Sequence, residues 1–281
     1  PILLSSNSGD YDNSANLQGY WRMGDGDTYP TITDNSINSN DGTMTNMAAD
    51  DITTEVPKQV VNLQAVTNPY SLNFDGTDDY VDISSIASTI NSLSLGTISL
   101  WFKSTNKDPT AVLFSASDLS DGSSDLLIFT LTSGYLRVHI RENGSTLLQR
   151  TYETDVVDSN WHHLSLVVAS GSNALYIDGV SVTLSSGVGS ASTQKFFSDI
   201  NDIDSVKIGE NQDSGGHEYP FSGNICNVGI WSAALTQAQI KSIMNKNYAG
   251  LTTSEKTNLV SWWNLSADAN DNHGSNNGTL T

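Results

Sequence analysis

The run Tyr135-Leu136-Arg137-Val138-His139-Ile140-Arg141 places a phenol, two guanidinium groups and an imidazole at every second position. On an extended strand that spacing sends all four to one face, and Leu136, Val138 and Ile140 to the other. An aromatic platform with a few polar groups on a rigid sheet suits a sugar, and Trp101 and Tyr219 would add stacking surface. The same row also reads as a solvated sheet face or a subunit contact. A second chemistry is calcium binding, because irregular Asp/Asn-Gly loops supply the oxygen ligands that Ca2+ takes six to eight at a time. Glu210, Asn211 and Asp213 form one acidic loop of this kind, although such residues also make turns through side chain to backbone hydrogen bonds. Catalysis is poorly served. Glycoside hydrolysis needs two carboxylates about 5 to 10 Å apart, and Glu153 and Asp155 share a strand face with no third acid at a useful distance. The chain has no Gly-x-Ser-x-Gly nucleophile elbow. Adjacent residues point to opposite faces of a strand, so His162 and His163 do not ligate one metal together.

Elements able to position these residues follow from period-2 alternation. Thr97 to Lys103, Tyr135 to Arg141 and His163 to Val168 alternate strictly, and β-rich runs lie at 111–115, 126–131, 174–177, 206–208 and 224–231. Asp121-Gly122, Ser133-Gly134, Asn143-Gly144, Gly171-Ser172 and Asp178-Gly179 separate them as turns. Short strands with no helices between them predict an all-β, antiparallel sandwich. One short helix is expected near the C-terminal end, where Thr236 and Gln239 make a capping box ahead of Ile240, Ile243 and Met244. A weaker helical turn is expected over 253–258, and loops over 5–16 and 185–193.

At 281 residues the chain has room for one large sandwich with a short appendage. The formal charge is −19, with 12 basic residues against 31 acidic ones, so nucleic acid is not an expected partner. All but six of the acids are Asp, a residue of turns, caps and cation sites. The single cysteine, Cys226, excludes an internal disulfide framework, and no apolar run approaches the roughly 20 residues of a membrane span. NLQGYWRM at 16–23 returns as NLVSWWNL at 258–265, and DNSINSNDGTMT at 34–45 returns, one residue shorter, as DNHGSNNGTLT at 271–281. The expected organisation is an arm over 1–15, a sandwich over 16–250 and a segment over 251–281 that opens a second module or links subunits by strand addition.

SLNFDGTDDYVDI (71–83), TISLWFK (97–103), NWHHLSLVV (160–168), NALYIDGV (173–180), KIGE (207–210) and FSGNICNVGIWSAALTQAQI (221–240) resemble, in order, the laminin-G-like family of concanavalin-A-like jelly rolls. YWRMGDG with DNSINSNDGTM is similar to the usual start of such a module. The resemblance implies a jelly roll over about residues 16 to 248, with Trp161 plugging the core and Trp231 lying where the helix closes one end. It also implies a structural calcium site in the loops at one edge, with Asp34, Asn38, Asn40 and Asp41, and Asp75, Asp78 and Asp79, as donors. Enzymatic members of the superfamily carry Glu-x-Asp-x-x-Glu on one strand, which is absent here. The chain also departs from the family at Ile225-Cys226-Asn227-Val228, where acids are usual, so no role resting on those acids carries over.

The function expected from these features is a non-catalytic surface binding or adhesion module for carbohydrate, with calcium as a structural ion. Its partner would be a glycan or protein on a cell or particle surface. The acidic, Asn-rich, Cys-poor style resembles modules of marine bacterial and bacteriophage surface proteins, which implies a virion fibre or decoration component in an extracellular or virion-surface setting. A purely structural assembly subunit that self-associates or meets neighbouring virion proteins is the second expectation, and a glycoside hydrolase or lyase a distant third.

Overall fold

Alternating apolar residues make half-buried strands, and such strands are stable when two sheets bury their apolar faces against each other. The computed structural model describes residues 17–21, 27–34, 36–46, 48–49, 70–107 and 110–281. The expected arm 1–15, the loop over 5–16 and the GDG of the opening motif lie outside the described residues. The chain divides into two units, Pro1–Asn62 and Leu63–Thr281. In the first, β1 (Thr31–Ile32) pairs antiparallel with β2 (Gly42–Thr43).

The strands of the second unit begin with β3 (Leu72–Asp75), β4 (Val81–Asp82), β5 (Gly96–Lys103), β6 (Ala111–Ser117), β7 (Asp125–Thr130), β8 (Leu136–Glu142) and β9 (Ser145–Tyr152). They continue with β10 (His162–Ala169), β11 (Ser172–Ile177), β12 (Val180–Val182), β13 (Ser185–Val188), β14 (Ser205–Ile208), β15 (Asn211–Asp213) and β16 (Gly216–Glu218). β17 (Ser222–Trp231), β18 (Leu259–Trp263) and β19 (Thr279–Leu280) complete the set. A seven-stranded sheet has the order β12-β11-β10-β5-β17-β18, with β3 also on β17; an eight-stranded sheet has the order β13-β9-β8-β7-β6-β14-β4-β19. Every registered pair is antiparallel. The expected all-β sandwich is the fold.

Ile98, Leu100 and Phe102 of β5, Leu164, Leu166 and Val168 of β10, and Leu136, Val138 and Ile140 of β8 all enter one apolar interior. Phe114 meets Phe197 edge-on there, with ring centroids 6.3 Å apart. Two tight turns keep these strands in register. Asn143-Gly144 (φ 49° and 74°) and Asp178-Gly179 (φ 51° and 73°) carry the paired positive φ angles whose twist matches that of a hairpin.

Helix α2 (Gln237–Ile243) has the expected capping box: the Thr236 amide donates to Gln239 Oε1 at 2.8 Å, and the Gln239 amide donates to Thr236 Oγ1 at 3.3 Å. Its Ile240 and Ile243 roof a second apolar cluster with Trp231, Trp262 and Val167, on the outward side of the seven-stranded sheet. Trp231 therefore lies beneath the helix, as expected. A single-turn helix, α1 (Ala87–Ile90), lacks a sequence signal of its own, and 253–258, where a helical turn is expected, is a series of turns in which the Lys256 amide donates to the Thr252 carbonyl at 3.1 Å.

Two expectations change. Part of the loop expected over 185–193 is β13, which pairs with β9 through a bulge between Ser186 and Val188. Trp161 is exposed ahead of β10 and does not plug the core. Trp21 is 43% exposed, bridges Asp34 and donates its indole N–H to the Asn40 carbonyl at 2.9 Å, whereas Trp262 and Trp263 are core residues. The structure places the C-terminal segment in both sheets, β18 beside β17 and β19 beside β4.

Phe114→Ala would lose one of the central rings of the interior. The expected cost is about 3–5 kcal/mol, read from the midpoint of a urea titration; a loss under about 1 kcal/mol would contradict the packing described.

Candidate functional site

α2 roofs part of the outward side of the seven-stranded sheet, and the row from Tyr135 to Arg141 lies on the outward side of the other sheet. Register places Arg137 opposite Phe129 on β7 and Thr151 on β9, and His139 opposite Leu127 and Gln149. Val112, Leu127 and Phe129 form a separate buried apolar cluster on this side, with Leu131 packed against it. Arg137 lies over this floor, its guanidinium carbon 5.9 Å from the centre of the Phe129 ring. Its Nε donates to Thr151 Oγ1 at 3.0 Å, and among the described residues no carboxylate forms an ion pair with it. Lys103, Arg150, Lys241 and Lys256 likewise have no ion pair among the described residues, so what marks Arg137 is its place on this apolar floor.

His139 Nε2 and Thr146 Oγ1 are hydrogen-bonded at 3.2 Å. Burial, with the like-charged neighbours Arg141 and Arg137, pulls His139 down to about 4, so the imidazole is neutral at physiological pH. Arg141 has a different task. It forms a two-pronged ion pair with the fully buried Asp125, its Nε donating at 3.0 Å and its Nη2 also in contact. Burial pushes the Asp125 carboxyl upward while Arg141 opposes this, and Asp125 in turn raises Arg141. Glu218 is raised by burial and then by Asp213, so Arg141 stands among three acids and belongs to the structure at the paired ends of β7 and β8.

The hairpin of β15 and β16 covers the far side of the floor. Ser115 Oγ donates to the Glu210 carbonyl at 2.8 Å and Ser117 Oγ to Asn211 Oδ1 at 2.9 Å. The Val112 amide donates to the Tyr219 carbonyl at 2.9 Å, which brings Tyr219, 43% exposed, next to the floor. Tyr135 sits at the entry to β8, its carbonyl accepting from the Leu131 amide at 2.8 Å. The structure thus gathers Tyr135, Arg137, His139, Arg141 and Tyr219. Trp101 is the exception. It is on β5 of the other sheet, buried beside α2 and 5.3 Å from His163, with its Nε1 donating to the Met244 carbonyl at 2.7 Å. Phe129 and Asp125 were missed because only the register of β7 on β8 makes them neighbours of this row.

The expected calcium donors divide. Asp34 Oδ1 accepts from the Tyr20 and Ser36 amides, and Oδ2 from Ser36 Oγ and the Asn40 amide, so both oxygens are fully used. Burial works against its charge, but the amides of Tyr20, Ser36 and Asn40 hold the carboxyl at about 2. Asp34 is a backbone clamp rather than a metal ligand. Asp41 Oδ1 accepts from the Asp34 amide, while the side-chain amides of Asn38 and Asn40 donate to the carbonyls of residues 17 and 18. In the turn after β3, by contrast, Asp75, Asp78 and Asp79 bring one oxygen each within 4.8 Å of one another. Asp75 Oδ1 accepts from the Thr77 amide and Asp79 Oδ2 from the Asp75 amide, which leaves other carboxylate oxygens for a cation.

No catalytic arrangement emerges from the residues considered for one. Asp155 pairs with Lys107, and the interior His163 is pulled down to about 3 by burial, with Nε2 2.8 Å from Ser99 Oγ. Burial pushes the Cys226 thiol up to about 12, so it stays protonated. Among the described residues no helix is long and apolar enough to cross a membrane.

Residues 75–241 match the laminin G family described as the concanavalin A-like lectin/glucanases superfamily, and the chain belongs to that family. Over 106 residues it is 32% identical to the protein eyes shut homolog of Danio rerio, a stretch that is 36% of this chain and 4% of that protein. Among solved structures it is similar to the CBM40 of the Ruminococcus gnavus IT-sialidase bound to α2,3-sialyllactose, with a TM-score of 0.52, 20% identity, and coverage of 62% of this chain and 96% of the other. The leech intramolecular trans-sialidase gives a TM-score of 0.52 and 21% identity over 62% of this chain and 27% of the enzyme. These structural likenesses show a common fold.

His162 bonds Asp178 at 2.9 Å and Asp158 at 3.1 Å, and these bonds raise its pKa above the ordinary histidine value of 6.5, Asp178 contributing most. Their stabilisation is full below about pH 6.5 and fades as pH rises through the raised folded value. In an NMR titration His162 should titrate above 6.5 and His139 near 4; a reversed order would contradict the described environments.

Proposed function

We propose that the protein is a non-catalytic carbohydrate-binding module, and that the outward face of the eight-stranded sheet receives an acidic sugar. The observation that carries this reading is Arg137, a cation without an acidic partner among the described residues, held over the ring of Phe129 beside Tyr135 and Tyr219. Its terminal nitrogens suit a two-point bond to a carboxylate, and the aromatic residues offer surface to the apolar side of a pyranose. Neutral His139 contributes a hydrogen bond and no charge at physiological pH. The fold shared with a domain bound to α2,3-sialyllactose supports carbohydrate as the ligand class. A setting outside the cell or on a virion, with a fibre or decoration role, agrees with the acidic composition and rests on that style alone.

Calcium belongs to this reading as a structural ion at Asp75, Asp78 and Asp79. It would stiffen the turn after β3 and take no part in chemistry.

Two experiments test the proposal. On an array of neutral, sialylated and uronic-acid glycans, the protein should bind acidic members, and Arg137→Ala should weaken binding by about 10- to 100-fold, the worth of a charged hydrogen bond. Equal binding by wild type and Arg137→Ala would remove this face from the site. Separately, calcium at about 100 times its dissociation constant should stabilise the fold by about 2.7 kcal/mol. Chelator should reverse the gain, and Asp78→Asn with Asp79→Asn should abolish it; a melting temperature indifferent to calcium would exclude the ion.

A further inference from the structure

The roof that α2 lays over the seven-stranded sheet stops at Trp101, whose indole donates to the carbonyl of Met244 at the end of the helix. Two residues further along β5, Lys103 lies on the same outer side. It is paired with Asn224 of β17, and Asn224 with Asn73 of β3; residues directly opposite one another share a face. On the other flank His163 of β10 is paired with Trp101, so Trp161, two residues before it, returns to that outer side. The Ser159 amide donates to the Ser104 carbonyl at 3.1 Å, which keeps this segment alongside the continuation of β5. Trp161, Lys103, Asn224 and Asn73 therefore form one row across β10, β5, β17 and β3, beyond the reach of the helix.

These side chains are not used by the fold. Trp161 is 39% exposed and stands apart from the apolar interior. Neither its indole N–H nor the Lys103 ammonium has a partner among the described residues, and the carboxamide of the exposed Asn73 is also unengaged there. Asn224 donates through Nδ2 to Ser71 Oγ at 3.2 Å and keeps its Oδ1.

Shape and charge select the ligand. Adjacent strands lie about 4.8 Å apart, so the row is about 14 Å long, flat, and longer than one sugar ring. Acids stand at both ends: Asp158 and Asp178, bonded to His162, at the Trp161 end, and Asp75, Asp78 and Asp79 beyond Asn73. With Lys103 alone between them, a polyanion is repelled at each rim. One aromatic among polar groups also lacks the apolar centre of a protein interface. Sugar hydroxyls, which donate and accept at once, match a row of ammonium, indole N–H and carboxamides.

We infer that the row Trp161, Lys103, Asn224 and Asn73 is a binding surface for a neutral oligosaccharide. One pyranose stacks its apolar side on the Trp161 indole, and the rings that follow lie along the row with their hydroxyls on Lys103 and the two carboxamides. This surface is independent of the acidic-sugar reading, since Arg137 belongs to the outer side of the other sheet.

The test titrates the isotope-labelled full chain with neutral oligosaccharides of glucose, mannose, galactose and xylose, from mono- to hexasaccharide, at millimolar concentration. At least one series should move the Trp161 indole N–H and the side-chain amides of Asn73 and Asn224 together, with an affinity at least about tenfold higher for the trisaccharide than for the monosaccharide. Trp161→Ala should weaken binding by about tenfold, and Lys103→Ala with Asn73→Ala by about threefold or more, whereas Arg137→Ala should leave it unchanged. The melting temperature of each variant separates loss of the site from loss of the fold, and the double variant, at two surface positions, decides the matter should Trp161→Ala prove unstable. Silence of these signals with every series would overturn the proposal. So would binding untouched by both variants, shifts confined to the Arg137 face, or no gain from a longer chain.

Discussion

Two sheets share one dry interior, and every other feature of the second unit depends on burying it. The inward side chains of β5, β8 and β10 are almost wholly withdrawn from water, and area removed from water is the main source of folding free energy. A sandwich of this kind must also deal with its edges, since an unpaired edge strand invites further pairing. Here the segment from Leu259 to Leu280 adds an edge strand to each sheet and drops Trp263 between them. Closure of the interior and completion of both sheets are therefore one structural event.

With the interior settled, the two outward faces are free to differ. The seven-stranded sheet uses its outer side for stability, with α2 seated on Trp231 and Trp262, whose rings cross at 86° with centroids 5.8 Å apart. The eight-stranded sheet keeps a small apolar floor at Val112, Leu127 and Phe129 and sets charged groups on it. The two arginines of β8 then diverge. Arg141 neutralises a buried aspartate, where removal of one partner would strand the other's charge. Arg137, one pleat repeat beyond His139, has no such obligation among the described carboxylates, and the proposed binding face rests on that difference.

Much of this was legible from residue spacing. Strict alternation in 97–103, 135–141 and 163–168 marks strands and their inward residues, because a period of two leaves each side chain one face to occupy. Asn-Gly and Asp-Gly mark the hairpins, because those residues tolerate the positive φ that such turns need. Period alone, however, says which face a residue takes and not what lies above it. Trp101 alternates as an outward residue like Arg137, yet it is roofed by α2. The type of a residue is equally silent about how its oxygens are used: Asp34 and Asp78 look alike in sequence, and only the folded chain shows the former filled by backbone donors. Phe129 and Asp125 enter the site through cross-strand register, a tertiary property.

In the proposed function an acidic glycan meets the protein at Arg137 above Phe129. This contact is tested most directly by NMR, titrating isotope-labelled protein with acidic oligosaccharides, α2,3-sialyllactose first. The Arg137 Nε–H signal and the amides of Phe129, Tyr135 and Tyr219 should shift together and saturate at one concentration. Shifts gathered instead on the α2 side or at the Asp75 to Asp79 turn, or no shift on this face with any acidic glycan, would contradict it.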